Sequence, residues 1–279
     1  MQRLLPLAPD VTELVFAIGA GDRVIAVVGA TDFPAATRSL PKIRPDDAEA
    51  ILALRPDLVI ATTAGNDPRV IARLRDVGVR VCVVDVTSFS RLVDACRLVG
   101  EVTGLAASGR QLAQEIGTRV ARASAAAGAL SHRRALYVVW WDPLIVAAPG
   151  SFHDDLLGRA NLENLAPRGG GRYPQVDPEL LLDPRLEVVV APEETDLRAG
   201  FDRVRRSPAG ARLDAGQVRV IWLPADPASR PGPRLADALD ALVAARQELE
   251  KPAGRGGGPG GASPPPHRDD PGMPARGPA

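Results

Sequence analysis

One segment of this chain occurs twice, and the second copy arrives only after a long helical stretch. The first copy runs Asp47-Ala48-Glu49, an apolar helical pattern through Leu52 and Leu54, then Pro56-Asp57-Leu58-Val59-Ile60-Ala61. The second runs Asp177-Pro178-Glu179, Leu181-Leu182, Pro184, then Leu186-Glu187-Val188-Val189-Val190-Ala191. Glu49 and Ala61 stand twelve positions apart, and so do Glu179 and Ala191. Each copy reads as a helix start, a Pro-marked stop and a buried strand. In each, an Asp at the N-cap precedes a Glu on the first helical turn, where a carboxylate meets the positive end of the helix dipole. Such a chain is expected to fold as two similar lobes that present equivalent carboxylates.

Between the copies, Phe89 to Ala127 contains no Pro and reads as helix, with a break at Gly104 and an apolar stripe at Leu105, Leu112, Ile116 and Val120. Its second part, Leu105 to Ala127, spans roughly 35 Å at 1.5 Å per residue, enough to bridge two lobes. Strand patterns at Arg3–Leu7, Val24–Val28, Leu58–Ala61, Val79–Asp85, Ala135–Trp141, Glu187–Ala191 and Val218–Leu223 alternate with helical ones. That alternation predicts an α/β fold of mostly parallel sheets flanked by helices, with the ligand loops at the carboxyl ends of the strands. The expected organisation is an N-terminal α/β lobe over 1–102, an inter-lobe backbone helix over 103–130, a C-terminal α/β lobe over 131–250 and a disordered Gly/Pro-rich tail over 251–279.

Composition narrows the function classes. Acidic and basic residues balance at 34 each, which argues against nucleic acid as the partner, since such proteins carry a basic excess or stripe. Cys82 and Cys96 fall in an apolar strand and a helix pattern and read as small buried hydrophobes. The apolar stretch from Val11 to Ala30 is interrupted by Glu13, Asp22 and Arg23, too soon for a membrane span. Met1-Gln2-Arg3 leads to Pro6, Pro9 and Asp10 without a sustained apolar region, so no secretory signal is read: either the protein stays inside or this start omits an export segment.

No catalytic signature is complete. Gly19-Ala20-Gly21 opens like a dinucleotide fingerprint, but Val24 stands where the third Gly belongs. The sequence has no phosphate-cradling Walker loop, no Cys-x-x-Cys and no His-Glu-x-x-His. Gly150-Ser151-Phe152-His153 places Ser and His together without a nucleophile elbow, and helix capping accounts for it. Of three histidines only His153 falls near a plausible pocket, and a lone loop His is expected at the surface. The reading is therefore a non-enzyme with no catalytic residues, no metal site and no cofactor.

The strand-end loops offer binding chemistry instead. Pro9, Asp10, Phe33, Thr62, Gly65, Asn66 and Asp85 stand there in the first lobe, and Trp140, Trp141, Asp142, Tyr173, Glu193, Trp222 and Asp226 in the second. All three tryptophans lie at such ends. In a chain only 4% aromatic, that placement favours a binding surface over general core filling. Successive strand residues face opposite sides of a sheet, so Trp140 and Trp141 cannot share one core layer. Asp10, Asp32, Asp67, Asp85, Asp142, Glu193 and Asp226 against Arg69, Arg172 and Arg230 predict an acidic cleft that repels anionic ferric catecholates.

With these residues in place, the chain resembles the periplasmic substrate-binding proteins of ABC importers whose lobes are joined by a helix, and most of all the cobalamin and iron-siderophore receptors. The resemblance rests on Leu7-Ala8-Pro9 with Thr12-Glu13, Thr31-Asp32-Phe33-Pro34, Leu52-Ala53-Leu54-Arg55-Pro56-Asp57-Leu58-Val59, Tyr173-Pro174-Gln175-Val176 and Pro231-Gly232-Pro233-Arg234-Leu235. It implies capture of a cobalamin-like corrinoid or a ferric siderophore between the lobes, delivery to a membrane permease with its ATPase, contact with the membrane only through that permease, and an extracytoplasmic location. It also implies that Glu49 and Glu179 dock on permease arginines, and that Phe33 and Tyr173 occupy aromatic cleft positions. Thr62 and Thr63 stand where cobalamin receptors place an aromatic. A cytoplasmic two-lobed enzyme, or a sensory module acting on a tetrapyrrole or metal chelate, is the alternative that the missing signal leaves open.

Overall fold

The computed structural model describes residues 2–251; apart from Lys251, the Gly/Pro-rich segment expected to form a tail lies outside the described residues. The first lobe runs β1 (Leu4–Pro6), α1 (Pro9–Ala17), β2 (Val27–Val28), β3 (Lys42–Ile43), α2 (Ala48–Ala53), β4 (Leu58–Thr62), α3 (Pro68–Asp76) and β5 (Val81–Val84). Its central sheet is parallel in the order β1-β4-β5, and every residue of β4 is buried, as expected for a strand covered on both faces. The expected strand at Val24–Val28 shrinks to the two residues of β2, paired with β3, while Val24 makes only an isolated bridge to Leu4. Pro9 to Glu13, read as a strand-end loop, is the start of α1. Proline at the first helical position needs no donor there, and Asp10 follows in the first turn.

Two helices then leave the first lobe, α4 (Phe89–Val102) and α5 (Ala106–Gly128). They turn at Gly104, whose φ of +76° suits glycine. Beyond the turn the helices cross in close contact: a Cβ on Gly100 would come within 2.8 Å of the Gly109 Cα. The buried seam of α5 is Gly109, Ala113, Ile116, Val120, Ala123 and Ala127, so small residues carry the crossing and Leu105 and Leu112 are only half-buried. The apolar stripe expected from the sequence thus shares only Ile116 and Val120 with the buried face. Close helix approach selects small side chains over large ones.

The second lobe runs β6 (Arg133–Trp141), β7 (Leu144–Val146), α6 (Phe152–Arg159), β8 (Leu162–Asn164), β9 (Val188–Pro192), α7 (Thr195–Arg205), α8 (Ala211–Asp214), β10 (Arg219–Leu223), α9 (Ala225–Ser229) and α10 (Leu235–Glu250). The strand order is β10-β9-β6-β7, with β8 also on β6, and β7 alone is antiparallel. One apolar cluster joins the lobes through α4, α5 and α10, taking in Leu14, Val99, Val120, Leu157 and Leu239 together. Separate clusters fill the outer face of each sheet. Exposing two large residues of the shared cluster would cost about 3–6 kcal/mol, which reaches the lower end of a domain's margin of stability of about 5–15 kcal/mol, so wide opening of the lobes is disfavoured. Arg119 of α5 reinforces the junction by pairing with Asp237 and Asp240 of α10 at 2.7 and 2.6 Å. No helix of the described residues is long and apolar enough to cross a membrane.

Candidate ligand-binding cleft

A cleft of about 350 Å³ opens between the lobes at the carboxyl ends of β4 and β6. Ala8, Pro9 and Asp10 line it from the start of α1, and Thr62, Ala64 and Gly65 from the loop after β4. The opposite wall is Val139 of β6, Phe152 and His153 of α6, Tyr173, and Ser229-Arg230-Pro231 after α9.

The first wall is backbone held in place. Asn66 accepts from the Thr62 N–H and donates to the Leu7 carbonyl, both at 2.8 Å, tying the ends of β4 and β1 together. The Thr62 hydroxyl oxygen accepts from the Ala64 N–H at 3.1 Å. Asn66 is thus a clamp beneath the loop and lines no part of the cleft.

The second wall is aromatic. The Ser151 side chain caps α6 by accepting from the Asp154 N–H, which sets Phe152 and His153 on its first turn. The His153 ring centroid lies 3.7 Å from Phe152 and 4.0 Å from Tyr137, with Tyr173 edge-on at 5.7 Å. Its Nε2 donates to the Ala228 carbonyl at 3.0 Å, and the Tyr137 hydroxyl donates to the same oxygen at 2.8 Å. A carbonyl only accepts, so Nε2 carries the proton, and Nδ1 is buried without a partner. Burial pushes the pKa down to about 3, so the ring is neutral. His153 is 4% exposed, which corrects the expectation of a surface loop histidine. Tyr173 is 40% exposed and offers its ring to the cleft, its phenol pushed up to about 12 by burial.

Charge in and around the cleft is mostly paired. Arg234 grips Glu13 with two nitrogens at 2.6 and 3.0 Å, reaches Asp226 at 3.3 Å and stacks on Phe33 at 3.8 Å. Arg230 pairs with Asp32 at 2.5 Å. Two arginines of one second-lobe segment thus clasp carboxylates of the first lobe. Asp10 remains: its Oδ1 accepts from the Val11 N–H at 2.9 Å, and no side chain of the described residues bonds it. Burial raises its pKa to about 6, Glu13 adding to the rise while local backbone N–H groups and Arg230 oppose it.

Of the residues singled out from the sequence, Pro9, Asp10, Thr62, Gly65 and Tyr173 line this cleft. Phe33 lies across the Arg234–Glu13 pair in a neighbouring cavity of about 420 Å³, with Phe16, Pro34 and Pro233. Asp85 holds the Thr87 N–H and hydroxyl, and Glu193 pairs with Arg198 at 2.6 Å. Trp222 carries Arg198 over its ring at 3.9 Å and meets Phe201 edge-to-face at 5.4 Å. Trp141 is 1% exposed in the outer core, against Phe201 and so close to Gly200 that a Cβ there would lie 2.9 Å from its own Cβ. A register shift between Val138 and Trp140 changes the alternation, turning Trp141 inward with Leu136 and Val138 and leaving Trp140 exposed. Trp140 donates to the carbonyl of Asp142, which sits exposed in the adjoining turn. Asp226 is held by Arg234 and Arg230.

Of the seven acids expected to make the cleft negative, Asp10 alone lines it, and Arg230 lines it too, so the cleft is not strongly acidic. The sequence reading missed Val139, Phe152 and Ser229 and misjudged His153; the capping Ser151 at a strand-to-helix turn was the signal for that wall. Glu49 and Glu179 lie exposed, Glu49 paired with Arg73 at 3.3 Å.

Two lobes with a cleft at their strand ends, joined by helices, match a family model described as periplasmic binding protein over residues 6–227. The chain belongs to that family. Among relatives of this binding protein, the vitamin B12-binding protein of Vibrio cholerae serotype O1 is 28% identical over 243 residues, 86% of this chain and 87% of the relative. That of Yersinia pestis is 22% identical over 226 residues, covering 80% and 75% of the two chains. Among solved structures, the periplasmic vitamin B12-binding protein of Vibrio cholerae superposes with a TM-score of 0.79 at 25% identity, covering 90% of this chain and 98% of that one. A periplasmic heme-binding protein from Pseudomonas aeruginosa gives 0.73 at 28% identity, covering 88% and 92%.

Proposed function

We propose that this chain is the extracytoplasmic substrate-binding component of an ABC importer and that it carries a cobalamin-like corrinoid. The observation that carries the ligand class is the aromatic second wall, Phe152, His153 and half-exposed Tyr173, facing Pro9 and Gly65 across an open cleft. Flat rings stack on such walls, and few polar groups are needed to orient them. At about 350 Å³ the cleft takes one face or edge of a corrin and leaves the rest in solvent. The vitamin B12-binding relatives support the same ligand.

Haem is the second reading, favoured by the heme-binding Pseudomonas structure and by the Arg230 guanidinium on the cleft wall. A ferric siderophore is less well supported, since the walls offer rings more than charge. Release to the permease follows docking of Glu49 and Glu179 on its arginines, with the ATPase driving transport.

Calorimetric titration with cyanocobalamin, haemin, a hydroxamate-iron complex, free zinc and free manganese tests the ligand class. Saturable one-to-one corrinoid binding at micromolar affinity or tighter is expected. Saturation by a free divalent metal alone overturns the reading.

A further inference from the structure

Resting on the corrinoid reading, we propose that Asp10 and Arg230 act together as a selector for ligands fringed with carboxamides over ligands fringed with carboxylates. These are the two charged side chains lining the cleft, and they come from opposite lobes. Arg230 is fixed by Asp32 at 2.5 Å and touches Asp226 at 3.8 Å, which leaves part of its five-donor fork unspent. Asp10 has no side-chain partner, so its carboxylate is an acceptor awaiting a donor.

A primary amide satisfies both walls, since its N–H donates to Asp10 and its carbonyl accepts from Arg230. A carboxylate satisfies only Arg230 and brings like charge against Asp10. A site built to pair a donor discriminates strongly against an analogue that lacks it, because the buried acceptor is left unpaired. Corrinoids carry amides at the ring edge and haem carries carboxylates, so this pair decides between the two tetrapyrroles that the aromatic wall alone would accept.

The surroundings of Asp10 bear on its charge. Glu13 on the same helix faces it but is neutralised by Arg234; Arg230 faces it from the second lobe with Asp32 and Asp226 behind. Across the cavity stand neutral His153 and Tyr173. With a pKa of about 6, Asp10 is ionised at neutral pH and becomes neutral on mild acidification, so rejection of carboxylates weakens as pH falls.

The test is equilibrium titration of the full chain, as wild type and as Asp10→Asn, with cyanocobalamin and with a corrin whose side-chain amides have been hydrolysed to carboxylates, near neutral pH and near pH 5. Wild type is expected to prefer the amide corrin by about tenfold or more at neutral pH, with the preference shrinking several-fold in acid. The Asn variant should show a smaller preference, because the carboxylate corrin gains, and no shift between the two pH values beyond that of the ligand itself. Equal affinity of wild type for both corrins, or the same preference and pH response in the variant, overturns the selector while leaving the corrinoid reading standing. No binding of either corrin overturns both. If the variant does not fold, the wild-type pH series decides alone: a preference that does not change with pH overturns the proposal.

Discussion

The two lobes carry the same repeat and meet the cleft in different ways. In both copies an Asp side chain caps the turn, Asp47 bonding the Ala50 N–H and Asp177 the Glu179 N–H, and in both the strand starts nine residues after the glutamate. The first copy forms a short α-helix, whereas the second forms only a 3₁₀ turn over Pro178–Leu182. Pro184 stands two positions earlier relative to its glutamate than Pro56 does, and proline disfavours the helical conformation of the residue before it, so helices usually end there. Spacing to the strand is kept while helix type is not. The cap and the strand therefore place the carboxylate, and the helix between them is free to vary. The cleft walls diverge further: the first lobe offers a helix end and a clamped loop, the second a buried ring cluster.

The largest expected effect separates the lobes by their buried charge. Arg246 of α10 is fully buried in the second lobe, donating to the carbonyls of Ala160, Asn161 and Ser131. Among the described residues the first lobe has no buried arginine or lysine. Arg246→Met should destabilise the protein by about 3 kcal/mol or more, since several buried acceptors lose their donor at once. Chemical denaturation reads this, and a loss below about 1 kcal/mol would mean that water replaces the guanidinium.

A smaller effect comes from two titrating groups on opposite walls. Asp10 has its folded pKa raised from 3.8 to about 6, so its contribution to stability is fully present below 3.8 and is lost as pH rises through 6. His153 has its folded pKa lowered from 6.5 to about 3, so its contribution is present above 6.5 and is lost as pH falls towards 3. Between about pH 6 and 5 the two nearly cancel in the wild type. Asp10→Asn should lose about 1–2 kcal/mol on going from neutral pH to pH 5, and His153→Phe should instead gain about 1 kcal/mol. Parallel pH profiles of the two variants would contradict the opposed burial of these groups.

The smallest effect on folding concerns the paired glutamates. Reversing Glu49 and Glu179 to Arg should cost about 1 kcal/mol or less per site in stability, because both are exposed helix-start residues. Docking on the permease should fall by far more, as truncating one partner of a buried interfacial charge pair costs about 2–5 kcal/mol. Glu49 is already paired with Arg73, whereas exposed Glu179 has no ion-pair partner among the described residues, so the Glu179→Arg variant should lose more transport than Glu49→Arg. Uptake in reconstituted vesicles measures this, and unimpaired transport by the double variant would reduce both carboxylates to dipole complements.

Much of the fold was legible because periodicity reports burial. The run Leu58 to Ala61 is buried on both faces, and the helix expected at Leu105–Ala127 spans Ala106–Gly128. The candidate cleft was legible where backbone chemistry announces itself, as with Pro9 and Gly65, and where the family resemblance marked an aromatic position, as with Tyr173. It was not legible where tertiary partners decide. Nothing local says that Asp32 is paired by Arg230, 198 positions further on, or that a bulge after Val138 turns Trp141 into the core. His153 is misjudged for the same reason, since its burial depends on Tyr137 and Ala228, both distant in sequence.

Whether the cleft between the lobes is the ligand site is tested most directly by filling it. Gly65 lines the cleft, and a Cβ built there meets nothing within 4 Å, so a side chain at this position starts into open space. Cyanocobalamin titration of Gly65→Trp beside wild type, with melting curves of both, is the decisive measurement. Loss of corrinoid binding with an unchanged melting temperature is the result predicted here. Wild-type affinity in the folded variant would contradict it and move the ligand elsewhere on the molecule.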